Sequence, residues 1–267
     1  MAATSSSALA AAATLVSVAF ACCTLERWLV RRKPHEAAWT VSLFLFAAGS
    51  AALWLATATG WDAVSFRAFY LFGGVLNVPF LALGTVYLLA DRRVADRVAA
   101  TVTAVSLFAA GVVVSSPLRG AFDPVDFPSG KEHFGVLPRV FAGVGSGLAS
   151  LVIIGGALWS AYRLLRGRTR PGAPTQVPAG RLAAANLLIA LGTGAISAKG
   201  LFEGLGDEAT AFSAALATGI VLLFVGFLLT GTRRAPAAAP VPEPAGELEA
   251  ASPTAEPEHG SVAAVGR

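Results

Sequence analysis

Asn77 stands two residues before Pro79 in the middle of an uncharged run, 68–90. A proline there lacks an N–H and its ring clashes with the Val75 carbonyl, so the helix must kink and free a backbone acceptor. A carboxamide beside a freed acceptor in an apolar segment makes a small polar cavity, able to hold a ligand by hydrogen bonds. On a 3.6-residue period Arg67, Tyr70, Gly73, Gly74, Asn77, Gly84 and Thr85 share one face, while Phe69, Phe72, Leu76, Phe80, Leu83 and Tyr87 occupy the rest. A later apolar segment carries a matching stripe, Asn186, Thr193 and Ser197, the natural partner of the Asn77 face. Arg67 lies one turn before Tyr70 and points into the bundle. A guanidinium at that depth is costly unless paired, and the acids on the outer side are Asp62, close in sequence, and Asp123, Asp126, Glu132, Glu203, Asp207 and Glu208. The candidate ligand-binding residues are therefore Arg67, Tyr70, Asn77 and Asn186, around an outer vestibule suited to an anionic or hydrogen-bonding head on an apolar body. In the alternative, structural reading, Asn77 satisfies the kink and Arg67 pins two helices together.

Other chemistries fit poorly. Lys199 invites comparison with a retinal Schiff base, but it sits near the outer end of its segment, away from the polar stripe, with no acid at mid-membrane depth as counter-ion. Snorkelling to the headgroups, with Glu203 at i+4, accounts for it better. Zinc hydrolases of the membrane need several His and an Asp within the spans. His35, His133 and His259 instead fall at a boundary, in a connection and near the C-terminus. Asp123, Asp126, Glu132 and His133 could gather around a cation, but acidic loops are ordinarily solvated. Cys22 and Cys23 are adjacent and read as small packing residues. Phosphate-cradling, dinucleotide-binding and nucleophile-elbow motifs are missing. The sequence points to no catalytic residue, cofactor or metal.

The elements that position the Asn77 face are membrane helices. Only 13% of the 267 residues are charged and 55% are hydrophobic, whereas an ordinary soluble domain is about 25% charged. Apolar runs predict an all-α, integral membrane bundle of seven transmembrane helices at about 8–25, 37–59, 68–90, 98–116, 140–162, 182–202 and 209–230. Pro34 and Glu36 open the second helix, with the acid where the helix dipole favours it. The connections before helices 2, 4 and 6, and the segment after helix 7, carry most of the arginines. Only Arg67, Arg119, Lys131, Arg139 and Lys199 fall on the other side. This asymmetry puts the N-terminus outside and the C-terminus in the cytoplasm, in the cytoplasmic membrane. The same bias explains the net charge of +4 without nucleic acid. Trp28, Trp39, Trp54, Trp61 and Trp159 fall near span ends, as an aromatic belt requires. Small-residue stripes such as Gly143/Gly147, Ala190/Gly194/Ala198 and Ala211/Ala215/Gly219 predict close helix crossings. Residues 1–234 form this domain, and the Pro/Ala/Glu-rich residues 235–267 are expected to be a disordered cytoplasmic tail.

The string from Arg67 through Tyr70-Leu-Phe-Gly-Gly and Leu76-Asn77-Val78 to Gly84-Thr85-x-Tyr87-Leu-Leu, with Pro34-His35 before it, resembles a group of uncharacterised multi-pass membrane proteins of high-GC bacteria. The resemblance spans roughly residues 30–95, and the group carries no known activity. The expected function is non-enzymatic: a sensor-like or accessory, scaffold-type membrane component. The alternative is a transporter or binder of a small amphiphilic molecule or lipid through a polar cavity lined by helix 3. The expected partners are the lipid bilayer and such a ligand; nothing in the sequence names a protein partner.

Overall fold

The computed structural model describes residues 2–123, 127–166, 179–197 and 208–230. The chain divides into a body, Met1–Thr232, and a C-terminal unit, Arg233–Arg267. The tail read from the sequence belongs to the second unit and lies outside the described residues, as do Asp126, Lys199, Glu203, Asp207 and His259.

The body is helical throughout its described residues. Its elements are α1 (Ala2–Arg31), α2 (Pro34–Thr59), α3 (Ala63–Ala68), a π-helix (Phe69–Leu76), α4 (Asn77–Leu89), α5 (Arg92–Ser115), α6 (Gly130–His133), α7 (Val136–Leu165), α8 (Ala179–Ser197) and α9 (Glu208–Thr230). The continuous α3–π–α4 unit, together with α1, α2, α5, α7 and α9, makes six helices long and apolar enough to cross a membrane. The segment predicted at 182–202 is described only as α8, whose apolar stretch Gly180–Ile196 is shorter. Helix ends extend several residues past the apolar windows, because charged residues such as Arg27, Arg92 and Arg163 continue the backbone hydrogen bonding.

Helix packing closes a ring. α1 packs on α2, α2 on the α3–π–α4 unit, α4 on α7, α7 on α8, α8 on α9, and α9 returns to α1. α5 packs on α4, the π-helix and α7. Its window is the least buried of the six, with Leu107 and Phe108 turned outward as a lipid-facing helix requires. The end holding the 31–36 and 90–92 turns and Arg163 is the basic end. The end covered by the 117–135 connection is the capped end.

Close crossings use some of the predicted small residues and not others. A Cβ at Gly192 would lie 2.7 Å from the Gly219 carbonyl oxygen, and one at Gly226 would lie 2.9 Å from the Ala185 oxygen. Backbone contact there draws α8 against α9. Gly143, Gly147 and Gly194 instead border open space, so the α7 stripe makes room rather than a crossing. Trp61 is buried, and the Trp39 indole lies across Gly84, where it would meet any Cβ. Trp61 thus belongs to the interior rather than to a belt, Trp39 is half-buried, and Trp54 and Trp159 are exposed.

Candidate functional site

The third membrane helix is not the simple proline-kinked α-helix that the sequence implies. Pro79 is the third residue of α4 but lies inside the continuous α3–π–α4 helix, so its missing N–H leaves an upstream carbonyl without its helical donor. The mismatch is absorbed upstream, in the eight-residue π-helix. π turns occur mostly as single-turn bulges inside α-helices, frequently at functional sites. Two hydroxyls from neighbouring helices satisfy carbonyls at this junction. Ser146 of α7 donates to the Gly74 oxygen at 2.6 Å, and Ser42 of α2 donates to the Asn77 oxygen at 2.8 Å. Gly49 of α2 lies against the same stretch, since its Cβ position is 2.7 Å from the Gly73 nitrogen.

These contacts hold the helix against α2 and α7 while leaving a cavity of about 490 Å³ between them, within the usual range for small-molecule sites. Asn77 and Tyr70 line it from the third helix, Ser50 from α2 and Ser146 from α7; Phe212 and Leu216 of α9 supply apolar wall. Asn77 is 4% exposed and Ser50 is 2% exposed. The Ser50 hydroxyl has no hydrogen-bond partner among the described residues, which is costly for a buried group unless something else occupies the space. Lys131 and Arg139 line the same cavity, and no carboxylate does so among the described residues. Small residues on α7 and the π-helix make the volume: a Cβ at Gly74, Gly143 or Gly147 meets nothing within 4 Å.

Aromatic rings cover the capped end. Phe66, 1% exposed, packs against Trp61, Tyr70, Phe122, His133 and Phe134. Phe127 sits between Trp61, Phe69 and Phe212. The connection is thus folded down on the bundle instead of forming a solvated acidic loop. His133 stacks on Phe122 at 4.2 Å, and its Nδ1 lies 2.9 Å from the Arg119 carbonyl, which requires the proton on Nδ1. The Arg119 amide in return donates to the His133 carbonyl at 3.0 Å. A cation site built on His133 has no support: among the described residues no group of three His, Cys, Asp or Glu gathers. Turn formers in this connection concealed the signal, which was the density of Phe between 122 and 134.

The four residues picked from the sequence are not all brought together. Tyr70 and Asn77 share the cavity just described. Asn186 lines a different cavity toward the basic end, and its Nδ2 donates to the Ser160 hydroxyl at 3.0 Å, so α7 rather than the Asn77 face is its partner. Arg67 leaves the cavity altogether. Its Nη2 donates to the Ser116 carbonyl at 2.6 Å, at the C-terminus of α5, where orphan carbonyls and the helix dipole favour a cation. Among the described residues no carboxylate pairs with it. Asp62, the acid closest in sequence, is engaged elsewhere: its Oδ1 caps α3 by accepting from the Ser65 hydroxyl and amide, both at 2.7 Å. Those bonds, the hydroxyl's first, hold its carboxyl below the usual carboxylate range.

Sequence reasoning missed the ion cluster at the basic end. Glu36, fully buried in the first turn of α2, accepts from Arg27 Nε at 3.3 Å, and Arg31 Nη1 lies 3.8 Å from the same oxygen. Arg27 also lies 4.3 Å over the Phe227 ring, tying α1, α2 and α9 together. The signal was there to read: Arg27 and Arg31 are four apart on one face, and the turn through Arg32, at φ 52°, folds Glu36 back onto that face. Comparison with protein-family models, curated proteins and solved structures finds no match, so the site is read from its own geometry.

Proposed function

We propose that this chain is a non-catalytic, multi-pass protein of the cytoplasmic membrane, sensor-like or accessory in character, which binds a small anionic amphiphile in the capped cavity. One observation carries the reading. Lys131 and Arg139, and among the described residues no carboxylate, border a mostly apolar cavity that contains a buried hydroxyl, Ser50, with no hydrogen-bond partner among those residues. Lys131 and Arg139 suit an anionic head, Asn77 and Ser50 offer hydrogen bonds, and the Phe and Leu walls take an apolar body.

In this reading the protein crosses the membrane seven times, with the N-terminus outside and the C-terminus cytoplasmic. α8 counts as a crossing because its apolar stretch covers roughly 25 Å of a core about 30 Å thick. Asn186 near its start meets Ser160 near the basic end of α7, while Ile196 near its end lines the capped cavity, so α8 runs against both α7 and α9. Arginines at the basic end support placing that end in the cytoplasm.

Sodium decanesulfonate is a suitable probe, since it carries a permanent anionic head on a short alkyl chain. For the protein in nanodiscs, the probe at about 100 times its Kd should add about 2.7 kcal/mol to stability, read as a rise in Tm. Gly147→Phe grows into open cavity space and should keep the fold while abolishing the rise. An equal rise in wild type and Gly147→Phe would show that the probe acts elsewhere.

A further inference from the structure

The helix ring holds a second cavity, of about 300 Å³, toward the basic end. Among the described residues it shares none of its lining with the capped cavity, yet the two are stacked on the same helix faces. Leu43 lies one turn from Phe46 in α2, Leu81 one turn from Val78 in α4, and Ile153 one turn from Ser150 in α7; Ile189 and Leu223 lie two turns from Ile196 and Leu216 in α8 and α9. Separations of three to seven residues leave a partition of about 5–10 Å, one or two layers of side chains. Its centre is Ala82, Ala149 and Ile153, with Val78, Leu81 and Ile189 packed against them. Every one of these is apolar.

Binding alone needs one cavity. A second cavity behind a thin apolar partition, inside a closed ring, is the arrangement of a path. The partition also hangs from the irregular part of the third helix. Val78, Leu81 and Ala82 belong to α4, which follows the π-helix directly. Rewinding a π turn as α shifts the register by one residue and rotates the following helix by about 100°. Such a rotation would carry these three side chains out of the partition. The present register is held by the Ser146 and Ser42 hydroxyls on the Gly74 and Asn77 carbonyls.

We propose that the two cavities are the two stations of one path, and that the protein lets an anionic amphiphile cross the membrane down its gradient. The proposal rests on the binding reading of the capped cavity. The buried carboxylate of Glu36 borders neither cavity and is engaged by Arg27 and Arg31.

The test is uptake of radiolabelled decanesulfonate by vesicles containing the full-length protein, because a permanently ionised sulfonate does not cross lipid as a neutral acid. Leu81 is only partly buried and borders the second cavity, so it tolerates change in both directions. Wild-type vesicles should take up the probe several-fold faster than protein-free ones. Leu81→Ala should speed uptake and Leu81→Phe should slow it several-fold, while the probe-induced rise in Tm stays the same in all three. Uptake no faster than in protein-free vesicles, with that rise intact, would overturn the path and leave the binding site standing. Uptake insensitive to both Leu81 variants would also overturn it, since the flux would then bypass the partition. No rise in Tm in wild type would remove the binding reading, and the path with it.

Discussion

Arg27→Met is expected to destabilise the bundle by about 3–5 kcal/mol, more than Glu36→Gln does. Either change removes one charge of the same 3.3 Å pair, but the two partners differ in their access to water: the Glu36 side chain is 0% exposed and the Arg27 side chain 24%. Losing Arg27 leaves a buried carboxylate with only the longer contact to Arg31, at 3.8 Å on a side chain that is 44% exposed. Losing the Glu36 charge leaves a guanidinium that can extend toward the headgroups and keep its place over Phe227. The double variant Arg27→Met/Glu36→Leu removes both charges and should lie within about 1–2 kcal/mol of wild type, as apolar replacement of buried ion pairs commonly does. Thermal unfolding of the four proteins in nanodiscs measures the series. An Arg27→Met protein as stable as wild type would contradict the account of this cluster.

Gly49→Ala is expected to cost about 2–3 kcal/mol, at the upper end of overpacking effects, while Gly73→Ala, at the same crossing, costs little. The asymmetry comes from where each Cβ would point. At Gly49 it meets the Gly73 nitrogen and Cα at 2.7 and 2.8 Å, both backbone atoms that cannot turn aside. At Gly73 the nearest atoms are the Phe69 ring at 3.8 Å and the Gly49 Cα at 3.9 Å, ordinary contact distances. Gly49→Ala must therefore push α2 away from the π-helix, straining the Ser42 bond to the Asn77 carbonyl as well. Equal losses at the two positions, measured by the same unfolding, would mean that the helices meet otherwise.

Much of this architecture was legible in the sequence, and the limit is instructive. Long apolar runs between arginine clusters required membrane helices, because backbone groups in lipid must be satisfied within the segment. The Asn77–Pro79 pair correctly marked the third helix as irregular. Nothing local, however, says that the irregularity becomes a π-helix before the proline, since that depends on hydroxyls supplied by Ser42 and Ser146 from other helices. Arg67 shows the same limit. Its depth and its need for a partner were readable, but a helix C-terminus can serve in place of a carboxylate, and only the packing of α5 brings the Ser116 carbonyl within reach. Asn186 was correctly read as polar and helix-borne, yet the register of α7 against α8 gives it to Ser160 and the second cavity. Gly143 and Gly147 carry the general lesson that small residues allow either a close crossing or a void, and the period alone does not choose.

Photolabelling shows directly whether the capped cavity holds an anionic amphiphile. Decanesulfonate carrying a diazirine near its chain end would be added to the protein in nanodiscs, irradiated, and the modified residues located by mass spectrometry. The account predicts labels on the cavity-facing residues of the π-helix and α7, around Tyr70 and Ser146, displaced by excess unlabelled probe and absent in Gly147→Phe. Labels confined to lipid-facing positions of α5 such as Leu107 and Phe108, unaffected by competitor or by Gly147→Phe, would contradict it.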